Sequence, residues 1–196
     1  MLKKGIKIIL LVLVFISFLV TSYGVYIIYS YDYKVDVTAQ KVIKEINDIV
    51  IEDSVINDKL NEGNRLVLEE KAIGVIIFES GKMVAIYDNP TDYNMMIGIG
   101  KIIDNSILNM SGNSILLGHN DVGFTELKNI KVNDTFKIKT TSKETIYKVT
   151  NAYITEKDDP NPYRSSDDII VTLITCYPFN YIGETNKRYV VVAQSI

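Results

Sequence analysis

The sequence predicts a mainly β domain, a small β-barrel or sandwich of about eight short strands with one or two short helices, carried behind an N-terminal transmembrane helix. Two features carry the prediction. From Ile8 to Tyr29 the chain has no charged residue. From about residue 72 onward it breaks into short β-branched or alternating runs separated by turn signals.

The apolar run is long enough to cross a bilayer as a helix, which takes about 20 residues. Lys3, Lys4 and Lys7 precede it with no acid among them, so the N-terminus is expected inside and the remainder outside. A cleaved signal peptide would have a shorter apolar core and a small-x-small site; no alanine occurs before Ala39. Tyr23, Tyr26, Tyr29, Tyr31 and Tyr33 cluster at the far end, where amphipathic rings favour the membrane–water interface. Residues 1–30 are therefore expected to be an anchor, 31–71 a helical stalk or packing segment, and 72–196 the β domain.

Within 38–60, Val42, Ile43, Ile46, Ile49 and Val50 form one apolar stripe, the pattern of a helix packed on its domain. Asn61-Glu62-Gly63-Asn64 is expected to break it. Gly74–Glu79 and Met83–Tyr87 flank Ser80-Gly81-Lys82, a hairpin signal. Thr91 is placed to cap a short helix through Ile97. Ser114–His119, Thr135–Thr140 and Glu144–Ile154 read as strands, and Ile169–Thr175 and Arg188–Ser195 as strongly β-branched ones. Residues 155–168 read as a polar loop with two prolines, and Arg65 and Arg164 as surface residues.

Residues 30–196 hold 18 basic and all 24 acidic residues, a mild acidity that argues against a nucleic-acid partner. The chain has one cysteine and one histidine. A lone thiol outside the cell cannot form an internal disulfide, so it is either buried and inert or reactive and used. If this is a cysteine enzyme, its pair is His119 and Cys176. Each falls at the end of an expected strand, where a rigid scaffold exposes reactive groups. Arg188 opens the last strand 12 residues after Cys176, a return length that can bring the two onto adjacent strands. The types suit acyl chemistry. A thiolate is stabilised by a neighbouring imidazolium or guanidinium. Arg188 offers several donors to an oxyanion, and His119 can protonate a leaving amine. A non-catalytic, membrane-tethered β-module with a buried Cys176 is the alternative reading of the same residues.

Thr172-Leu173-Ile174-Thr175-Cys176 resembles the Thr-Leu-x-Thr-Cys signature of sortases. Arg188-Tyr-Val-Val-Val matches the arginine that opens the family's last strand, and Asn113 with Gly118-His119 is similar to its Asn-x-x-x-x-Gly-His segment. Cys176-Tyr177-Pro178-Phe179, Gly183 and Arg188-Tyr189 resemble class D most closely. The chain departs from the family pattern at His119-Asn120-Asp121, in lacking an Ile-Pro step in the first strand, and in lacking an Asp-Pro-aromatic lid; these departures bear on the subclass.

The resemblance implies a closed barrel with 72–196 as catalytic domain, and a membrane-bound cysteine transpeptidase using Cys176, His119 and Arg188. It implies exported proteins with a Leu-Pro-x-Thr-Gly-like motif as substrates and a lipid-linked peptidoglycan precursor as acceptor. No cofactor is expected. In some sortases acids near the site loop bind calcium, but Asp158, Asp159, Asp167 and Asp168 lack diagnostic spacing and suit a solvated loop. By position, Tyr163 and Pro162 could line a peptide groove and the loop Tyr177–Lys187 its opposite wall. Thr175 and Tyr177 join Tyr163 as candidate substrate-binding residues, Thr175 through a buttressing hydrogen bond.

Overall fold

The computed structural model describes residues 2–55, 72–102, 107–179, 181 and 183–196, with the side chains of residues 2–6 and 50–55 left aside. The expected break at Asn61–Asn64, the rest of segment 31–71 beyond Val55, and Arg65 lie outside the described residues.

The chain forms two compact units, Met1–Lys34 and Val35–Ile196. Helix α1 runs Leu2–Val55 and contributes to both. In the first unit its apolar side chains are bare; Leu11 and Ile28, for example, are 69% and 70% exposed. The helix is long and apolar enough to cross a membrane. Two of its hydroxyls bond back to the helix, Thr21 donating to the Ser17 and Phe18 carbonyls and Ser30 to that of Ile27.

In the second unit, Val35, Ala39, Val42 and Ile46 recur at helical spacing and are buried. Ala39, Val42 and Ile46 pack on Val75, Ala85 and Tyr87 of the first two strands. Burial of a branched side chain such as Val42 or Ile46 contributes about 1.5–3 kcal/mol. The observed stripe starts earlier than its sequence pattern and ends sooner, since Ile49 is 44% exposed.

Eight strands close a barrel: β1 Ala72–Phe78, β2 Met83–Tyr87, β3 Ile99–Lys101, β4 Gly112–Leu117, β5 Thr135–Lys139, β6 Glu144–Glu156, β7 Ile169–Tyr177 and β8 Lys187–Ser195. Their order is β1-β2-β3-β4-β7-β8-β6-β5, with β5 returning to β1. Gly81, at φ 87°, makes the β1–β2 turn that Ser80-Gly81-Lys82 signalled. Helix α2, Asp92–Ile97, is capped by the Thr91 hydroxyl, which accepts from the Asn94 amide at 3.2 Å. Strand β3 and the 3-10 turns Thr125–Lys128 and Asn161–Tyr163 have no counterpart in the sequence reading. Strand β4 ends at Leu117, so His119 lies in the loop beyond it.

The interior is apolar, with Ile76, Ile86, Leu116, Phe124, Phe136, Leu173 and Val191 fully buried or nearly so. Tyr147 is also buried there; its hydroxyl donates to Asn109 Oδ1 at 2.9 Å, and burial pushes the phenol up to about 12.

Candidate active site

The barrel's pairing pattern lines up three chemistry-bearing residues. Most strand pairs are antiparallel, but β4 and β7 run parallel with Leu117 level with Ile174. Two residues further on, His119 comes level with Cys176 at the same end of the barrel. The Gly118 amide continues this pairing, donating to the Ile174 carbonyl at 3.3 Å. Strand β8 runs antiparallel to β7 and starts at that end, with Arg188 directly opposite Cys176. His119, Cys176 and Arg188 thus form a row across three neighbouring chain segments.

Strand alternation sets the face. Val171 and Leu173 enter the interior with Val191 and Ala193. Ile174 and Val190 form a separate buried cluster with Ile115, against which Leu117 and Val192 pack. Cys176 and Arg188 continue the row of Ile174 and Val190, on the outer face. All three of His119, Cys176 and Arg188 are partly exposed.

Two clefts meet at the row. The first, about 470 Å³, is polar: Asn120, Asp121, Glu184, Thr185 and Asn186 line it together with Tyr181. The second, about 450 Å³, is lined by Met95, Leu117, Ile174 and Tyr163, with Thr175 and Asp158. His119, Cys176, Arg188 and Lys157 belong to both. A smaller hollow of about 100 Å³ beside Glu79, Glu126 and Asp134 holds neither cysteine nor histidine.

Each member of the row is tied through its backbone or its neighbours. The Thr175 hydroxyl, 2% exposed, donates to the Gly118 carbonyl at 2.7 Å. The His119 carbonyl accepts from the Phe124 amide at 2.9 Å. Gly118 leaves no room for a side chain: a Cβ there would stand 2.7 Å from Ile99 Cγ2 and 2.8 Å from Phe124 Cδ2. Asn120 reaches across to the Pro178 carbonyl at 3.1 Å. The Arg188 Nη1 donates to the Thr185 and Lys187 carbonyls at 2.8 and 3.0 Å. Thr185 is fixed in turn, its hydroxyl donating to the Tyr177 carbonyl at 2.6 Å and accepting from the Lys187 amide.

Of the residues proposed from position to meet a substrate, Tyr163 lies in the second cleft, 47% exposed. Thr175 also lines it, with its hydroxyl committed to Gly118. Tyr177 lines neither cleft. It follows Cys176 in an extended strand and so points to the other face, where its ring packs with Phe179 and Tyr189 at centroid distances of 6.2 and 6.4 Å. Burial, and then the neighbouring Tyr177, raise the Tyr189 phenol.

Among the described residues no three of His, Cys, Asp and Glu gather closely enough to hold an ion. Asp159 already accepts from the Thr155 hydroxyl, the Asn161 amide and the Asn161 side chain. These bonds, Thr155 first and then the Asn161 backbone, hold its carboxyl below the usual range, and Arg164 adds to this.

Lys157 and Met95 were not singled out in the sequence, and Asn120 and Asp121 only as a departure from the family pattern. Lys157 is placed by the β6–β8 ladder, where Glu156 pairs with Lys187 and the Lys157 amide donates to the Asn186 carbonyl at 2.7 Å. Such long-range pairing leaves no local signal.

Comparison with known proteins agrees with this architecture. The Sortase domain family profile matches residues 73–196. Sortase D of Bacillus subtilis (strain 168) is 28% identical over 102 residues; the match spans half of this chain and half of that protein. Among solved structures, the Clostridium perfringens Sortase D5 transpeptidase has a TM-score of 0.61 at 21% identity, covering 85% of this chain and 99% of that one. The catalytic domain of B. anthracis SrtD scores 0.56 at 26% identity, covering 71% and 97%. Listeria monocytogenes sortase A scores 0.57 at 22% identity, covering 64% and 87%. With the profile matching more than half of the chain, and with an eight-stranded barrel of the same fold, the chain belongs to the sortase family.

Proposed function

We propose that this chain is a membrane-anchored transpeptidase whose nucleophile is Cys176. The observation that carries the proposal is the row of His119, Cys176 and Arg188 at the junction of two clefts of different character.

An extended sorting-motif peptide, similar to Leu-Pro-x-Thr-Gly, lies in the cleft of Ile174, Leu117, Met95 and Tyr163, whose apolar lining suits the motif's apolar residues. The Cys176 thiolate attacks the carbonyl carbon before the scissile bond. The resulting oxyanion is met by the Arg188 guanidinium, a donor set that is pre-placed because Nη1 is held by Thr185. The C–N bond breaks and His119 supplies the proton to the departing amine. A thioester remains on Cys176. A second amine enters through the polar cleft, gives its proton to His119 and attacks the thioester carbonyl. The thiolate then leaves, and the new amide joins the exported protein to a cell-wall precursor.

The chemistry needs no cofactor. The N-terminal helix holds the enzyme in the membrane with its lysine-bearing end inside and the barrel outside, where exported substrates and lipid-linked acceptor are both confined. That confinement raises the effective concentration of each.

The test is product analysis. The full chain in detergent is given a sorting-motif peptide with and without a small primary amine. Cleavage alone in the absence of the amine, and the peptide–amine conjugate in its presence, are expected. Hydrolysis product only, at saturating amine, would make the chain a peptidase. No cleavage across a panel of motifs, with Cys176 inert to thiol reagents, would favour a binding module.

A further inference from the structure

Asn113 lies in β4, six residues before His119, and has no part in the chemistry above. A carboxamide carries two N–H donors and a carbonyl acceptor, and here both ends are used. Its Nδ2 donates to the Pro162 carbonyl at 3.1 Å and to the Arg164 carbonyl at 2.9 Å. Its Oδ1 accepts the Thr172 hydroxyl of β7 at 2.8 Å. Carbonyls cannot donate, so the two loop oxygens fix the amide's orientation without ambiguity.

These two carbonyls bracket Tyr163, the exposed aromatic of the apolar cleft. Pro162, which bears the first of them, is buried. Further bonds from the start of β4 secure the loop's end: the Ser111 hydroxyl donates to the Asp167 carbonyl at 2.6 Å, and the Gly112 amide to that of Asp168 at 2.9 Å. The loop's start is secured by Asp159 through Thr155 and Asn161. The Asp159 carboxylate and the Pro162, Arg164, Asp167 and Asp168 carbonyls are thus engaged by N–H and O–H groups of the protein itself.

We infer that Asn113 is a positioning residue which fastens the 157–168 loop, and with it the Tyr163 wall of the peptide cleft, from the neighbouring strand and without a divalent cation. This rests on the sortase reading for its substrate. Its physical content, a wall organised before the peptide arrives, stands apart from the chemistry. Pre-organisation acts on binding, because ordering is not charged against the peptide's affinity. Loss of Asn113 therefore weakens the grip on the peptide and spares the reactivity of the thiol.

The experiment uses the full chain in detergent, as wild type, Asn113→Ala, Asn113→Asp and Thr172→Val. For Asn113→Ala, KM for the peptide is expected to rise about tenfold or more, the effect of two ordinary hydrogen bonds, with kcat within about threefold. Asn113→Asp, which keeps an acceptor but cannot donate, behaves alike; Thr172→Val, which leaves both loop bonds in place, stays near wild type. Iodoacetamide alkylates Cys176 at an unchanged rate in every variant, and amide hydrogen exchange rises in residues 161–166 of the two Asn113 variants. Wild-type KM is unmoved by chelator or by added calcium.

An Asn113→Ala enzyme with wild-type KM and wild-type loop exchange overturns the inference. So does a fall in kcat alone, which marks general damage to the fold, or a KM that chelator raises and calcium restores. Should the wild type cleave no peptide, the sortase reading fails, while the exchange comparison still decides the fastening: unchanged exchange in residues 161–166 overturns it.

Discussion

The two loops that wall the Cys176 row are fastened in different places. The β6–β7 loop is held at its start by Asp159, at its end by Ser111 and Gly112, and in its middle by Asn113 on either side of Tyr163. In the β7–β8 loop, among the described residues, bonds from outside fall on its ends: Asn120 on Pro178, the Lys157 amide on Asn186, and Thr185 back onto Tyr177. Its middle carries Gly183 at φ 134° and an exposed Tyr181. The contrast fits a division of labour. Under the proposed function, the apolar wall receives the peptide, and the polar wall, with Arg188 at its base, passes the leaving amine out and the acceptor amine in.

The largest expected effect breaks the polar wall at its base. Arg188→Lys keeps a charge but loses the planar fork that spans Thr185 and an oxyanion. Cleavage should slow by about a hundredfold or more, the scale of losing a principal oxyanion donor, with little change in KM. Near-normal kcat would remove Arg188 from the chemistry.

Next comes the segment both walls share. Gly118→Ala drives a methyl into Ile99 and Phe124, an overpacking that costs about 1–3 kcal/mol in chemical denaturation. Because Gly118 immediately precedes His119, kcat should fall as well. Thr175→Val, which removes the hydroxyl from the Gly118 carbonyl, should lower kcat by about tenfold, the effect of one buried hydrogen bond. A stable enzyme with unaltered kcat in both variants would detach His119 from this support.

A paired substitution sharpens the contrast itself. Tyr163→Ala should raise KM for the sorting peptide by about tenfold, as for losing one contact ring. Tyr181→Ala should leave that KM alone and shift the ratio of transfer to hydrolysis with a limiting amine. The same response from both would erase the division of labour.

The smallest effect is a pH dependence confined to one wall. Asp159 has its carboxyl lowered in the fold, so its contribution is present above the ordinary carboxylate value of 3.8 and is lost as pH falls through the lower folded value. Hydrogen exchange at the Asn161 amide should rise on acidification before that of the β7–β8 loop. Simultaneous loosening of both would exclude Asp159 as the local cause.

Parts of this arrangement were legible in the sequence for definite reasons. The opposition of Cys176 and Arg188 follows from a short return between two β-branched strands, which favours antiparallel neighbours. The number of short runs pointed to a barrel or sandwich and the sortase resemblance to its closure, while the Thr91 cap and the Gly81 turn followed from local chemistry. His119 meeting Cys176 was reached only by elimination, since each occurs once; the parallel β4–β7 pairing that levels them joins segments more than fifty residues apart. Strand β3 has three residues, too few for any periodicity. The placing of Tyr177 beside a substrate ignored parity: consecutive residues in a strand face opposite ways, and with Cys176 outward Tyr177 joins Tyr189 and Phe179 on the other side. Asn113 was visible as a motif residue, but its bonds to Pro162 and Arg164 cross between elements and had no local trace.

The central claim is that Cys176 carries the peptide between the two walls as a thioester. Intact-mass spectrometry of the full chain, quenched in acid during turnover of a sorting-motif peptide, measures this directly. The expected result is a protein species heavier by the amine-free part of the peptide, mapped to Cys176, discharged by hydroxylamine and absent from Cys176→Ala. Turnover of the peptide with no such adduct, or persisting in Cys176→Ala, would contradict the account.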